Sequence, residues 1–127
     1  PGVIKPGMTD QVGHIIDVSA TFRDITGAKY PKQINGHKTL PPVGKSLLPI
    51  FKGEQREPHK EIYWHFSRAN AVRQGDLKLV RAGKEWELYD LKADPTETNN
   101  LAKKMPGKAK ELADLWQAWS KTNKHRQ

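Results

Sequence analysis

Between residues 61 and 90 short runs rich in apolar and aromatic residues are separated by turn residues, and in 77–81 and 85–90 apolar and polar positions alternate with a period of two. Side chains on a strand point alternately to its two faces, so this rhythm predicts strands. Glu61-Ile-Tyr-Trp-His-Phe66 is the first, Asn70-Ala-Val-Arg-Gln74 the second and Leu77-Lys-Leu-Val-Arg81 the third. Leu77, Leu79 and Arg81 share one face of the third strand, with Lys78 and Val80 on the other. A fourth covers 85–90, where Trp86, Leu88 and Asp90 alternate with Glu87 and Tyr89. Gly75-Asp76 and Ala82-Gly83-Lys84 supply turns short enough to keep neighbours antiparallel, so 61–90 reads as a meander.

Beyond residue 90 the rhythm changes. Asp94-Pro95 stops the sheet, because proline cannot donate to a ladder. Asp94 as cap, Pro95 at the first position and Glu97 three residues after the cap predict a short helix over 95–104. A longer helix follows over 106–122, with Ala109, Leu112, Ala113, Leu115, Trp116 and Trp119 recurring at three and four. Leu112, Leu115, Trp116 and Trp119 are expected to pack on the sheet.

Upstream, Val18, Phe22 and Ile25 predict a helix over 14–27, with Asp17 or Ser19 as cap and Gly27 at its end. Residues 28–60 read as irregular, broken by Pro31, Pro41, Pro42, Pro49 and Pro58. Within them Ser46-Leu-Leu-Pro-Ile-Phe51 is an apolar knot expected to form one helical turn, and near the start Val3-Ile4 suits a short edge strand. The fold class is therefore α+β. A small four-stranded antiparallel sheet is packed by a long C-terminal helix and preceded by a helix and a long irregular segment.

Composition narrows the function classes. The chain has 127 residues, 35% of them hydrophobic, and a mean hydropathy of −0.80, which allows only a modest core. No apolar run approaches the roughly 18 residues that a membrane span needs. There is no cysteine, which removes disulfides, thiolate nucleophiles and cysteine metal sites. The net charge of +8 is spread along the chain rather than gathered in a block, the pattern of a solvated basic surface. The opening Pro-Gly-Val-Ile-Lys-Pro-Gly lacks the basic-then-apolar layout of a leader and reads as a cut inside a longer chain.

Candidate chemistry is sparse. Gly44-Lys45-Ser46 is no phosphate loop, since Thr39 stands where the first glycine belongs and Pro41-Pro42 where a strand belongs; it reads as a turn. His14, His37, His59, His65 and His125 show no i,i+4 pair and no acidic cluster, so no metal ligands are assigned. Serines 19, 46, 67 and 120 have no nucleophile context, and no catalytic residue is assigned. Tyr63, Trp64, Phe66, Arg68 and Arg73 interleave aromatics with cations, which suits either a core face with a basic outer face or a surface that stacks bases or sugars.

Several stretches, in order, resemble the C-terminal part of sulfatases of the arylsulfatase type. They are Pro1-Gly-Val-Ile-Lys-Pro-Gly7; Ile16-Asp-Val-Ser-Ala-Thr-Phe-Arg-Asp-Ile-Thr-Gly27, similar to the family's Asp-x-x-Pro-Thr helix ending in Ala-Gly; and Gly44-Lys-Ser-Leu-Leu-Pro-Ile-Phe-Lys-Gly53. The most specific are Ala71-Val-Arg-Gln-Gly-Asp-Leu-Lys-Leu-Val80 and Trp86-Glu-Leu-Tyr-Asp-Leu-Lys-Ala-Asp-Pro-Thr-Glu-Thr-Asn-Asn-Leu101. Ala20 and Thr26 depart from the helix pattern. Where relatives often have Glu-His-Glu-Gly-Asn-Arg before Ala-Val-Arg, this chain has His65-Phe-Ser-Arg-Ala-Asn70.

The resemblance implies a sulfuric ester hydrolase whose catalytic α/β domain lies mostly upstream and is the partner of this part. Residues 1–60 would be that domain's tail and a connecting segment, and 61–127 a C-terminal subdomain. Calcium and a formylglycine made from a Cys/Ser-x-Pro-x-Arg motif are implied for the parent enzyme, upstream of this chain, and no cofactor within it. The substrate would be a sulfated small molecule or glycan, with no nucleic acid bound. The part itself would support and partly rim the active site without being catalytic alone. His65, Ser67 and Arg68, at a strand end where the family's strand and loop can approach the active-site mouth, are the candidate substrate-binding residues. A periplasmic or extracellular location is the family's expectation. The alternative from a different class is a self-standing basic module that binds nucleic acid or sulfated polysaccharide.

Overall fold

The computed structural model describes residues 7–123, so the Val3-Ile4 edge strand and the polar end after residue 123 lie outside it. Two compact units divide the chain, Pro1–His59 and Lys60–Gln127.

In the first unit, α1 spans Ile16–Thr26 and ends on Gly27, whose φ of 70° is the left-handed conformation that a helix C-terminus favours. The face turned inward is Asp17, Ala20 and Thr21, all buried, whereas Val18, Phe22 and Ile25 are exposed. The irregular stretch 28–60 holds more order than the prolines suggest. Gln33–Ile34 (β1) and His37–Lys38 (β2) form a small antiparallel hairpin. Its turn is Asn35-Gly36, both with positive φ, which is the backbone twist a two-residue hairpin turn demands. The apolar knot does form one short helix, α2, over Leu48–Phe51.

In the second unit, four strands pair antiparallel in chain order: β3 (Ile62–Phe66), β4 (Ala69–Gln74), β5 (Leu77–Arg81) and β6 (Glu87–Asp90). The register aligns Tyr63, Val72, Leu79 and Leu88 in one row across the sheet. Helix α3, Pro106–Asn123, lays Leu112 on that row. Val72, Leu79, Leu88 and Leu112 are fully buried and form the core, with Leu115 and Trp116 half-buried around it. Trp119 stacks flat on Tyr63, with ring centroids 5.0 Å apart and planes 4° from parallel. At the other end of the helix, Lys108 donates to Gln74 (2.7 Å), which donates to Glu61 (3.1 Å).

The segment 95–104 is not the helix its caps predict. The Asp94 carboxylate reaches past the usual cap positions to the N–H groups of Thr98 (2.9 Å) and Asn99 (2.8 Å), and to the hydroxyls of Thr96 and Thr98. Those bonds hold its carboxyl below the ordinary range, Asn99 and Thr98 N–H contributing most. Glu97 takes a positive φ of 57°, which breaks helical continuity. The resulting loop covers the outer edge of β6: Leu101 N–H donates to Leu88 O (2.7 Å), and Leu88 N–H donates to Asn100 Oδ1 (3.2 Å). An edge strand that would offer unpaired groups is satisfied within its own chain.

Candidate functional site

The β3–β4 hairpin is closed by Ser67 and Arg68, both exposed, between the paired residues Phe66 and Ala69. Ser67 has a φ of 53°, the left-handed region more often given to glycine at such a turn. One residue pair in from the turn, His65 faces Asn70 directly, and Asn70 faces Arg81 on β5. These three lie on the same sheet face as the core row, because they sit two residues from Tyr63, Val72 and Leu79. The helix-facing side of the sheet is therefore apolar in its middle and polar at the hairpin end.

Aromatic rings wall this polar row. The Arg81 guanidinium lies 4.6 Å from the Trp86 ring centroid and 6.0 Å from that of Trp116. Trp86 and Trp116 meet edge to face at 5.9 Å, and the Trp116 ring tilts against His65 at 6.0 Å. Trp116 Nε1–H donates to the Trp64 carbonyl (3.0 Å), which fixes the ring and ties α3 to β3. A cation over an aromatic face is attracted by the ring quadrupole, so Arg81 is held where it stands.

His65 Nδ1 lies 2.7 Å from the Asn70 side-chain amide. An arginine can only donate, and Arg81 Nη2 is 2.9 Å from that amide's other end, so the amide oxygen turns to Arg81 and the NH₂ to His65. His65, Ser67 and Arg68 are thus brought together at one hairpin end, and the sequence reasoning that singled them out missed Asn70, Arg81 and Trp116 beside them. Period-two alternation carries each onto the same face once the register across three strands is known.

The first unit contains a buried charged cluster that sequence reasoning also missed. Asp17 is fully buried at the start of α1. Its carboxylate accepts from His14 N–H (2.9 Å), Lys45 N–H (2.9 Å), Arg56 Nη2 (2.9 Å) and His59 Nε2 (2.7 Å). Burial pushes its pKa up, but the bonds from Lys45 N–H, His59, His14 N–H and Arg56 prevail and hold it at about 2. Burial lowers the His14 pKa, against an opposing pull from Asp17. Arg56 also donates to the Lys45 carbonyl (2.8 Å) and the Val12 carbonyl (2.6 Å), while its Nε is buried without a partner among the described residues. Every one of these bonds ties a loop to α1 or to another loop, so the cluster organises backbone. Gly44 belongs to the same device: a Cβ there would lie 2.0 Å from the Ile16 carbonyl oxygen.

Among the described residues nothing fits the metal or the nucleophile that the resemblance implies for a parent enzyme. Among the described residues no group of three or more His, Cys, Asp or Glu is gathered, and the chain contains no Cys/Ser-x-Pro-x-Arg motif. No helix among them is long and apolar enough to cross a membrane.

A two-unit chain ending in an antiparallel meander with a helix across it, and holding polar residues at one hairpin end, has the architecture of a sulfatase C-terminal region. A family model described as N-sulphoglucosamine sulphohydrolase, C-terminal, matches residues 1–125, and the chain belongs to that family. It is 32% identical over 140 residues to an N-acetylglucosamine-6-O-sulfatase of Bacteroides thetaiotaomicron, covering 98% of this chain and 24% of the relative. A protein solved in complex with its substrate, D-glucosamine-2-N,6-O-disulfate, is 30% identical, with a TM-score of 0.59 over 86% of this chain and 24% of that one. A solved protein of Bacteroides thetaiotaomicron glycosaminoglycan metabolism shares the fold, with a TM-score of 0.73 at 22% identity over 93% of this chain and 27% of that one. The chain thus spans about a quarter of the length of the relatives it matches.

Proposed function

We propose that this chain is the supporting and substrate-recognising C-terminal part of an enzyme that hydrolyses sulfate esters of amino-sugar glycans. The single observation that carries the recognition role is the hairpin end, where Ser67 and Arg68 stand in solvent next to the His65–Asn70–Arg81 row. A guanidinium and an imidazole N–H there suit the hydroxyl and further anionic groups of a sulfated sugar. The similarity to a sulfatase of N-acetylglucosamine 6-sulfate, and to a protein bound to a sulfated glucosamine, supports the substrate class.

On this reading the catalytic domain, its calcium and its formylglycine lie upstream. Residues 1–60 close that domain and 61–127 form the subdomain beside its active site. The exposed apolar stripe Ile15, Val18, Phe22 and Ile25 on and next to α1 supports an upstream partner, since a stripe of that kind is normally covered.

The test is Arg68→Ala in the full-length enzyme with a 6-sulfated glucosamine substrate. The Michaelis constant is expected to rise several-fold with turnover largely kept, as when an interaction common to ground and transition states is removed. An unchanged Michaelis constant would remove Arg68 from the substrate rim.

A further inference from the structure

We infer that Arg81 and Asn70 act as positioning residues that lock His65 in one tautomer, with Nδ1 as acceptor and Nε2–H as the donor presented to substrate. The inference rests on the proposed rim and adds to it the identity of the groups that set its hydrogen-bond polarity.

Direction along the row is dictated by its first member. Arg81 has five N–H donors and no acceptor. It is fixed by the Trp86 face 4.6 Å away, and its Nη2 lies 2.9 Å from Asn70. Asn70 is buried, so its amide must satisfy both neighbours rather than turn to water. With the oxygen committed to Arg81, the NH₂ is committed to His65 and also reaches the Ala69 carbonyl at 3.2 Å. Nδ1 of His65, 2.7 Å from that NH₂, must then accept, and the ring proton must reside on Nε2 at the opposite edge.

The alternative tautomer would set Nδ1–H against an N–H donor. Turning the amide to relieve that clash would set its NH₂ against Arg81. Either choice leaves the buried Asn70 amide facing a like group, a cost that the observed direction avoids. His65 itself is exposed, and on this inference Nε2–H is the donor it offers. A donor there matches acceptor oxygens, whether of a sulfo group, a carboxylate or a sugar hydroxyl. A histidine whose proton could sit on either nitrogen would offer no such constancy.

Nitrogen shifts of the full-length enzyme carrying ¹⁵N-histidine test the lock directly, the His65 signals being assigned by their loss in His65→Gln. Wild type is expected to show a protonated Nε2 and an unprotonated Nδ1. Asn70→Asp, whose carboxylate accepts from Arg81 and His65 alike, is expected to move a proton onto Nδ1. Asn70→Ala is expected to give a mixture of tautomers. A protonated Nδ1 in wild type would overturn the inference, as would an Asn70→Asp spectrum identical to wild type. Kinetics separate this from the rim reading: if the tautomer shifts as expected but His65→Gln leaves the Michaelis constant unchanged, the lock stands and the substrate contact fails.

Discussion

Asp17 and Arg56 form an ion pair at 2.9 Å with side chains only 0% and 4% exposed, although 39 residues separate them. A pair so deeply buried is held by more than its mutual attraction, because desolvation of two charges opposes it. The backbone donors and acceptors around both groups supply the difference. Asp17→Asn removes the charge and leaves Arg56 buried beside a neutral amide. The expected loss is about 3–5 kcal/mol of unfolding free energy, the usual range for breaking one side of a buried pair. Equilibrium denaturation in urea measures it, and a loss under about 1 kcal/mol would mean that water or relaxation replaces the carboxylate.

The same carboxylate sets an acid limit. Its pKa falls from 3.8 to about 2 on folding, so the folded state binds its proton less readily than the unfolded chain does. The stability it contributes is complete above about pH 4 and is lost as pH falls towards 2. The shift corresponds to roughly 2 kcal/mol. His14, whose folded pKa is also lowered, adds an earlier decline as pH drops below its ordinary value of 6.5. Melting temperature followed from pH 8 to pH 2 should show both declines in wild type and lose the lower one in Asp17→Asn.

Gly44 permits the close approach of its own backbone to the Ile16 carbonyl. A methyl group 2.0 Å from that oxygen cannot be accommodated without moving a backbone segment. Gly44→Ala is expected to cost at least ~1–3 kcal/mol, the range for overpacking. A melting temperature equal to wild type would show that the loop yields freely.

Leu112 of α3 has no solvent exposure and packs on Val72, Leu79 and Leu88. Leu112→Ala should lose about 2–5 kcal/mol through lost transfer energy and the cavity left behind. Ala substitution at exposed Gln117, on the same helix, should change stability by less than about 0.5 kcal/mol. Equal effects at the two positions would contradict the packing of α3 on the sheet.

The meander and α3 were legible because their periods, two and then 3.6, are written locally. The clean row Tyr63, Val72, Leu79 and Leu88 follows from alternation once the turns at Gly75 and Gly83 are seen. The β1–β2 hairpin was missed, although Asn35-Gly36 is a hairpin-turn signal, because the prolines around it argue for loop. The segment 95–104 misleads because the residues suited to cap a helix also suit the wide turn that Asp94 makes. The Asp17 cluster has no local signal: its partners Lys45, Arg56 and His59 come from 28 to 42 residues away. The hairpin-end site was half legible. His65, Ser67 and Arg68 are neighbours in sequence, whereas Arg81 joins them only through the pairing of three strands.

On the proposed reading this chain contributes support and recognition, while the chemistry of sulfate ester cleavage resides in the rest of the enzyme. That chemistry needs an activated nucleophile, cations to meet the sulfuryl oxygens and a proton donor for the leaving alcohol. The most direct measurement is sulfate release from a 6-sulfated glucosamine substrate by the purified 127-residue chain, shown to be folded by circular dichroism, beside the full-length enzyme. The full-length enzyme is expected to turn over and the chain alone to release no sulfate above background. Turnover by the chain alone, abolished by changing a residue within it, would contradict the account.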